Sequence, residues 1–279
     1  MHDSSTLHWH NGALHQGSPN RNPASLALRY GAGFFETVLW NGQTPWLLDA
    51  HVARLHTSLA AFGFSVSACD YSAAIHTLVS ALHMQGTPAR INIYAHIEDE
   101  NAPVSPCITA APWQLPTPDR TWRLSTEAFA EPAHPAHHFT PLAAHKTTNY
   151  MYHWLLRRQS MAHGYDDALL LHPHGYVLES TAAAIVCSDG TRFCTPKSRP
   201  RLPSVTLAAA RKVLTIHDEH IPLPELARFR HVYVLNALNG MLPVTAIDDS
   251  PITADYETCH GMRHVLIGVG AAQAGPLRG

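Results

Sequence analysis

The stretch His145-Lys146-Thr147-Thr148-Asn149-Tyr150 lies between a proline-broken segment and a long helical pattern, and it carries one of the only three lysines in the chain. The other two are Lys197 and Lys212, and arginine supplies the rest of the positive charge. A compact amine differs from a permanently charged guanidinium because burial can strip it of its proton, which makes it usable as a nucleophile. Lys146 is therefore the residue around which the sequence is read.

Working outward, Gly31-Ala32-Gly33 precedes the strand-like run Phe34 to Trp40. Asn41-Gly42 reads as a hairpin turn and Trp46-Leu47-Leu48 as the returning strand. Asp49 reads as the N-cap of a helix with Val52, Leu55, Leu59 and Phe62 on one face and Gly63 as its stop. Asp70 caps a second helix, and Arg90 to Ile97 and Cys107 to Trp113 read as strands. The stiff Leu115-Pro116-Thr117-Pro118 ends this unit, so the expected division is residues 1–114, a linker at 115–121, and a larger unit at 122–279. In the larger unit Trp122 to Ala128 is extended and Asn149 to His163 helical, and strands lie at Ala168 to His172, Tyr176 to Glu179, Ile185 to Cys187, Arg192 to Cys194 and Val232 to Leu238. Helices follow near Thr206 to Leu214 and Tyr256 to Ile267. The expected architecture is α+β in two domains, the second built on a mostly antiparallel sheet.

With 279 residues the chain can bury a sizeable core. Its net charge of -2 offers no basic footprint for nucleic acid and no polybasic run for a membrane. No apolar stretch reaches the roughly 18 to 20 residues that span a bilayer, and the polar start lacks a signal peptide's regions, so a cytoplasmic location is expected. Five scattered cysteines without a Cys-x-x-Cys pair fit reduced packing residues. His134, His137 and His138 crowd a proline-rich loop, but no carboxylate or cysteine stands at ligand spacing, so no metal is expected.

Four further pieces stand in order with the lysine segment: His51-Val52-Ala53-Arg54-Leu55, Gly175-Tyr176-Val177-Leu178-Glu179-Ser180-Thr181, Leu202-Pro203-Ser204-Val205-Thr206, and Pro243-Val244-Thr245. Their order and spacing resemble the fold-type IV pyridoxal-phosphate enzymes, which include branched-chain aminotransferases, D-amino acid aminotransferases and aminodeoxychorismate lyases. The resemblance covers nearly the whole chain. It implies pyridoxal 5'-phosphate as cofactor, with Lys146 forming a Schiff base to its aldehyde, and Glu179 facing the pyridine nitrogen. It further implies that Arg54, the backbone N–H groups at Val205 and Thr206, and Thr245 hold the phosphate. Tyr150 would approach the phenolic oxygen or pack as an aromatic. A homodimer acting on a small amine or carboxylate substrate is also implied.

Within that family, Asn149 three residues after Lys146 resembles the lyases and D-amino acid enzymes more than the branched-chain enzymes, the acidic Glu98-Asp99-Glu100 stands where D-amino acid enzymes commonly carry an arginine-rich carboxylate trap, and the alanines of Glu179-Ser180-Thr181-Ala182-Ala183 and the segment Asn236 to Val244 resemble the lyases. The expected activity is conversion of 4-amino-4-deoxychorismate to p-aminobenzoate and pyruvate, with a class IV aminotransferase as the alternative and a catalytically silent cofactor-binding protein as a third reading. Departures stand at Ala32, where aspartate is usual, at Ala184, where asparagine is usual, and at Glu36, where some lyases place a threonine. Glu36 is thus placed on the substrate side, facing another amine. Arg29 and Arg90 are the nearest candidates for a substrate carboxylate, or else surface ion-pair residues.

Overall fold

In a computed structural model the described residues are 7–19, 22–126, 141–172, 174–197 and 201–269. His134, His137 and His138 lie outside them. The fold is α+β, and the chain divides into two compact units, Met1–Leu115 with His145–Asn149, and Pro116–Ala144 with Tyr150–Gly279. Sequence order alone places Lys146 in the second unit; its segment packs with the first.

The first unit is a five-stranded antiparallel sheet with three helices. Strands β1 (Leu7–His10), β2 (Ala13–Gln16), β3 (Gly33–Trp40), β4 (Ala89–His96) and β5 (Cys107–Pro112) lie in the order β2-β1-β5-β4-β3. Period-two alternation decides which face is dry. On β4, Ala89, Ile91, Ile93 and Ala95 are fully buried, and on β3 the same face carries Phe34, Glu36, Val38 and Trp40. A one-residue slip would exchange that set for Phe35, Thr37 and Leu39. The buried face is covered by α2 (Leu48–Ala61) and α3 (Tyr71–Ala81), whose buried residues His51, Leu55, Ser58, Leu59 and Tyr71, Ala74, Ile75, Leu78, Val79 recur at helical spacing. Each fully buried Leu or Ile stabilises this core by about 2 kcal/mol.

Local chemistry sets the boundaries. Asp70 caps α3 by accepting from the Ala73 N–H at 2.9 Å. Asp49 does not cap α2: Leu47, at φ 55°, holds the cap position without a side-chain bond, and Asp49 is the second residue of the helix, in its first turn, where its charge meets the positive end of the helix dipole. The expected returning strand at Trp46–Leu48 reduces to one bridge between Trp40 and Pro45, because the Asn41 side chain accepts from Gln43 and Thr44 N–H and closes a longer turn. Two elements absent from the sequence reading complete the unit. The hairpin β1–β2 turns at Asn11 and Gly12, both at positive φ, and a short α1 (Leu26–Tyr30) is capped by Ser25 and ended by Gly31 at φ 62°.

The second unit is a nine-stranded mixed sheet. Its strands are β6 (Trp122–Ser125), β7 (Asp167–Leu171), β8 (Val177–Ser180), β9 (Ala184–Ser188), β10 (Phe193–Pro196), β11 (Ile216–Glu219), β12 (His231–Asn236), β13 (Gly240–Ile247) and β14 (Ser250–Pro251), in the order β11-β10-β9-β12-β13-β6-β7-β8 with β14 on β13. The sheet is mostly antiparallel, as expected, with three parallel joints at β13–β6, β6–β7 and β10–β11. Helices α4 (Met151–Ala162), α5 (Val205–Ala210) and α6 (Tyr256–Ile267) complete the unit. Asp255 caps α6 and also accepts from the Tyr233 hydroxyl at 2.7 Å, which ties the helix to β12.

Two strands carry an extra residue. Between Leu169↔Ser180 and Leu171↔Val177 the β7–β8 register shifts, which leaves Leu178 and Glu179 opposite Leu170 alone. Between Val244↔Trp122 and Ala246↔Arg123 the β13–β6 register shifts at Thr245. Such bulges re-aim a side chain that strict alternation would bind to one face.

Candidate active site

Lys146 is fixed by main-chain bonds to β3. The Phe35 N–H donates to the Lys146 carbonyl at 2.9 Å, the Thr148 N–H donates to the Gly33 carbonyl at 2.9 Å, and Thr147 bridges Phe34. Thr148 Oγ1 adds a bond to the Gly31 carbonyl at 2.5 Å. The lysine stem thereby lies over the outward face of β3, with Nζ 4.4 Å from the Phe35 ring centroid. His145 points the other way, bonded to Ser58 Oγ at 3.0 Å and edge-on to Phe62 at 5.0 Å, and burial pushes its pKa down.

The glycines of Gly31-Ala32-Gly33 make room for this segment. A Cβ on Gly31 would stand 2.1 Å from Asn149 Oδ1, and one on Gly33 would stand 2.9 Å from the Ala95 carbonyl and 3.2 Å from Thr148 Oγ1. Gly31 also needs a left-handed backbone, which costs other residues about 1–2 kcal/mol. Gly31→Ala is therefore expected to destabilise the protein by about 1–3 kcal/mol, with a displaced lysine segment; a thermal melt at wild-type midpoint would contradict this.

Behind Lys146, on the buried face of β3, Glu36 accepts from Arg54 Nε at 2.7 Å, from Arg54 Nη2 at 2.5 Å and from His51 Nδ1 at 2.7 Å. Glu36 is 1 % exposed and both its oxygens are engaged. Burial pushes its pKa up, but the bonds from His51 and Arg54 outweigh it and hold the carboxyl below its ordinary range. The expectation that Glu36 faces a substrate amine is corrected by this geometry: its side chain points into the core and fixes the plane of the Arg54 guanidinium. His51 completes the cluster and sequence reading assigned it no role of its own, although it stands three residues before Arg54, one helical turn away on the same face.

The outward face carries a row of rings. Phe35 stacks on Tyr94 at 6.3 Å and Tyr94 on His96 at 5.3 Å with planes 8° apart. Burial raises the Tyr94 phenol, which keeps it neutral. Arg90, exposed, shares this face at the far end of β4, opposite Leu39. Arg29 is exposed on α1 with its guanidinium 4.9 Å above the Tyr30 ring.

In the second unit, Glu179 occupies the β8 bulge and is half-buried. The half-buried Arg201, bonded to Thr195 Oγ1 and the Pro196 carbonyl, lies in its electrostatic field. Ser204 caps α5 by accepting from the Leu207 N–H at 3.1 Å, and the N–H groups of Val205 and Thr206 have no partner among the described residues. Thr245 sits at the β13 bulge, with its hydroxyl 3.4 Å from the Trp122 carbonyl. Tyr150 stacks on His153 at 4.4 Å at the start of α4. Ala184 is buried in β9 opposite Leu235, where an asparagine amide would need a partner. Among the described residues no group of histidine, cysteine and carboxylate side chains could hold a metal ion, and no helix is long and apolar enough to cross a membrane.

The first unit carries an amine and a fixed guanidinium, and the second a carboxylate, two orphan amides and a threonine hydroxyl; each set is of a chemistry that suits part of a phosphorylated pyridine aldehyde. Residues 33–247 match the amino-transferase class IV family, and the chain belongs to it. It is 23% identical over 262 residues to the branched-chain-amino-acid aminotransferase of Escherichia coli K12, covering 86% of this chain and 84% of that one. The structure superposes on the Escherichia coli branched-chain aminotransferase with TM-score 0.80 at 18% identity, covering 98% of each chain. On a candidate 4-amino-4-deoxychorismate lyase from Legionella pneumophila the TM-score is 0.74 at 18% identity, covering 89% of this chain and 95% of that one. The fold is that of the fold-type IV pyridoxal-phosphate enzymes.

Proposed function

We propose that the protein is a pyridoxal-phosphate-dependent aminotransferase that moves an amino group between an amino acid and a 2-keto acid, with lyase activity on 4-amino-4-deoxychorismate as the second reading. The observation that carries the enzyme reading is Lys146, held by strand-type bonds with its amine over Phe35. The choice of aminotransferase rests on the relatives the chain resembles over most of its length. Asn149 and the Ala182-Ala183 pair favour the lyase.

Pyridoxal phosphate supplies an aldehyde for covalent attachment and a ring that accepts electrons from the substrate carbon. Lys146 would hold the aldehyde carbon and would supply the amine that moves the substrate proton. Glu179 would hold the ring nitrogen in its protonated form. Arg54, braced by Glu36 and His51, would hold the phosphate, a task assigned also to the Val205 and Thr206 N–H groups and Thr245. Tyr150 is assigned to the phenolic oxygen. Of the two carboxylate candidates, Arg90 is preferred to Arg29 because it shares the face of Phe35, Tyr94 and Lys146. A cytoplasmic homodimer remains part of this reading.

The test is a single-turnover assay of the cofactor-loaded protein with a panel of L- and D-amino acids, followed by aminodeoxychorismate. Loss of the visible cofactor band with an amino acid, and its return with a 2-keto acid, is the expected outcome. Formation of p-aminobenzoate and pyruvate without any amino-acid half-reaction would replace this reading by the lyase.

A further inference from the structure

Asp167 is a fully buried carboxylate to which the mechanism above gives no task. It stands at the start of β7, and one of its oxygens accepts from the Ala168 N–H at 2.9 Å and from the Thr181 hydroxyl. The other accepts from the Ser180 hydroxyl at 2.9 Å and the Ala182 N–H at 3.2 Å. None of these donors is charged. Burial pushes the carboxyl above its ordinary range, and the bonds from Thr181 and Ser180 and the field of Arg157 pull against it. An unpaired buried acid is expensive to keep, so what it holds is informative.

Three of the four donors belong to consecutive residues, Ser180, Thr181 and Ala182, which follow Glu179 directly. An amide could not replace the acid here, because its NH2 would face the Ala182 N–H, which can only donate. The Thr181 N–H also donates to the Ala168 carbonyl at 3.1 Å, so the turn is tied to β7 through main chain and side chain alike. Glu179 is therefore held by two devices, the β8 bulge it occupies with Leu178 and the Asp167-bound turn that follows it directly.

We propose that Asp167 is the positioning residue of Glu179: by gripping the Ser180-Thr181-Ala182 turn it fixes the direction in which the Glu179 carboxylate meets the pyridine nitrogen. The proposal rests on the assignment of Glu179 to that nitrogen. A purely structural Asp167 would lower stability and nothing else. A positioning Asp167 also changes how tightly the cofactor is held and how its ring titrates, and does so only while Glu179 is present.

The experiment compares wild type, Asp167→Asn, Thr181→Val, Glu179→Gln and the Asp167→Asn/Glu179→Gln double variant as cofactor-loaded proteins. It measures the pyridoxal-phosphate dissociation constant, the pH titration of the visible band, kcat and KM, and the melting temperature. Asp167→Asn and Thr181→Val are expected to weaken cofactor retention severalfold, shift the band's titration and lower kcat by about tenfold to a hundredfold with KM little changed. In the Glu179→Gln background, Asp167→Asn should add no further shift of the band while its effect on melting persists. An unchanged band and dissociation constant in both single variants, beside a lowered melting temperature, would overturn the proposal. A wild-type protein that takes up no cofactor would instead overturn the Glu179 assignment itself. Should Asp167→Asn not fold, Thr181→Val gives the same reading, since it removes one donor and leaves the acid in place.

Discussion

Lys146→Ala is expected to lower turnover by about a thousandfold or more while leaving the fold intact. In the proposed mechanism the side chain supplies both the covalent anchor and the proton-moving amine, and the other two lysines, Lys197 and Lys212, belong to the second unit. The backbone bonds from Phe35 and to Gly33 do not depend on the side chain, and the truncation removes only the stem over Phe35. Stability should change by no more than about 1 kcal/mol. Turnover, melting temperature and borohydride-fixed cofactor are measured together. A variant that retains turnover within tenfold of wild type would rule out Lys146 as the catalytic residue.

Glu36→Ala should have the largest effect on stability. It leaves the Arg54 guanidinium, 13 % exposed, without the carboxylate that takes two of its donors, and it deprives His51 of the same partner. Removing one member of a buried ion pair costs about 3–5 kcal/mol, to be read from urea unfolding. Cofactor affinity should fall as well, because the guanidinium plane is no longer fixed. A loss below about 1 kcal/mol would show that the cluster is not held together as described. The same carboxylate predicts a pH dependence. Its folded pKa is held below the ordinary 4.5, so its contribution is complete above that value and is lost as pH falls through the folded pKa. Wild type should therefore lose stability in acid below about pH 4.5 more steeply than Glu36→Gln, which has no proton to take up there.

What the sequence disclosed followed physical period and polarity. The helices α2, α3, α4 and α6 and the strands β3, β4 and β5 were legible because one face of each is dry and the apolar spacing says so. The Asn11-Gly12 hairpin was legible in principle, since an Asn-Gly pair favours two positive φ angles, but histidines in its strands blurred the alternation. Glu36 was misplaced for a different reason: it stands where some lyases place a threonine at the site, and only the tertiary meeting of β3 with α2 supplies the Arg54 and His51 that hold its charge inside the core. The bulges at Glu179 and Thr245 leave no mark in composition, because one extra residue in a strand is defined by its partner strand. Asp167 was hidden likewise, three of its four donors standing 13 to 15 residues further along the chain. Lys146 itself stood out through scarcity, yet the unit it joins could not be read from order.

That borrowing of residues 145–149 by the first unit has a consequence for biosynthesis. When Leu115 has been made, β3 still waits for the segment that will take the Phe35 N–H and offer a donor to the Gly33 carbonyl. At ordinary translation speeds the chain grows by about 5–20 residues each second, so a nascent protein carries this open strand edge for about 2 to 7 seconds. An unpaired edge invites other strands. Slow decoding between codons 115 and 149 should therefore raise aggregation of the nascent chain, and the arrival of the segment that carries Lys146 is the step that seals the first unit.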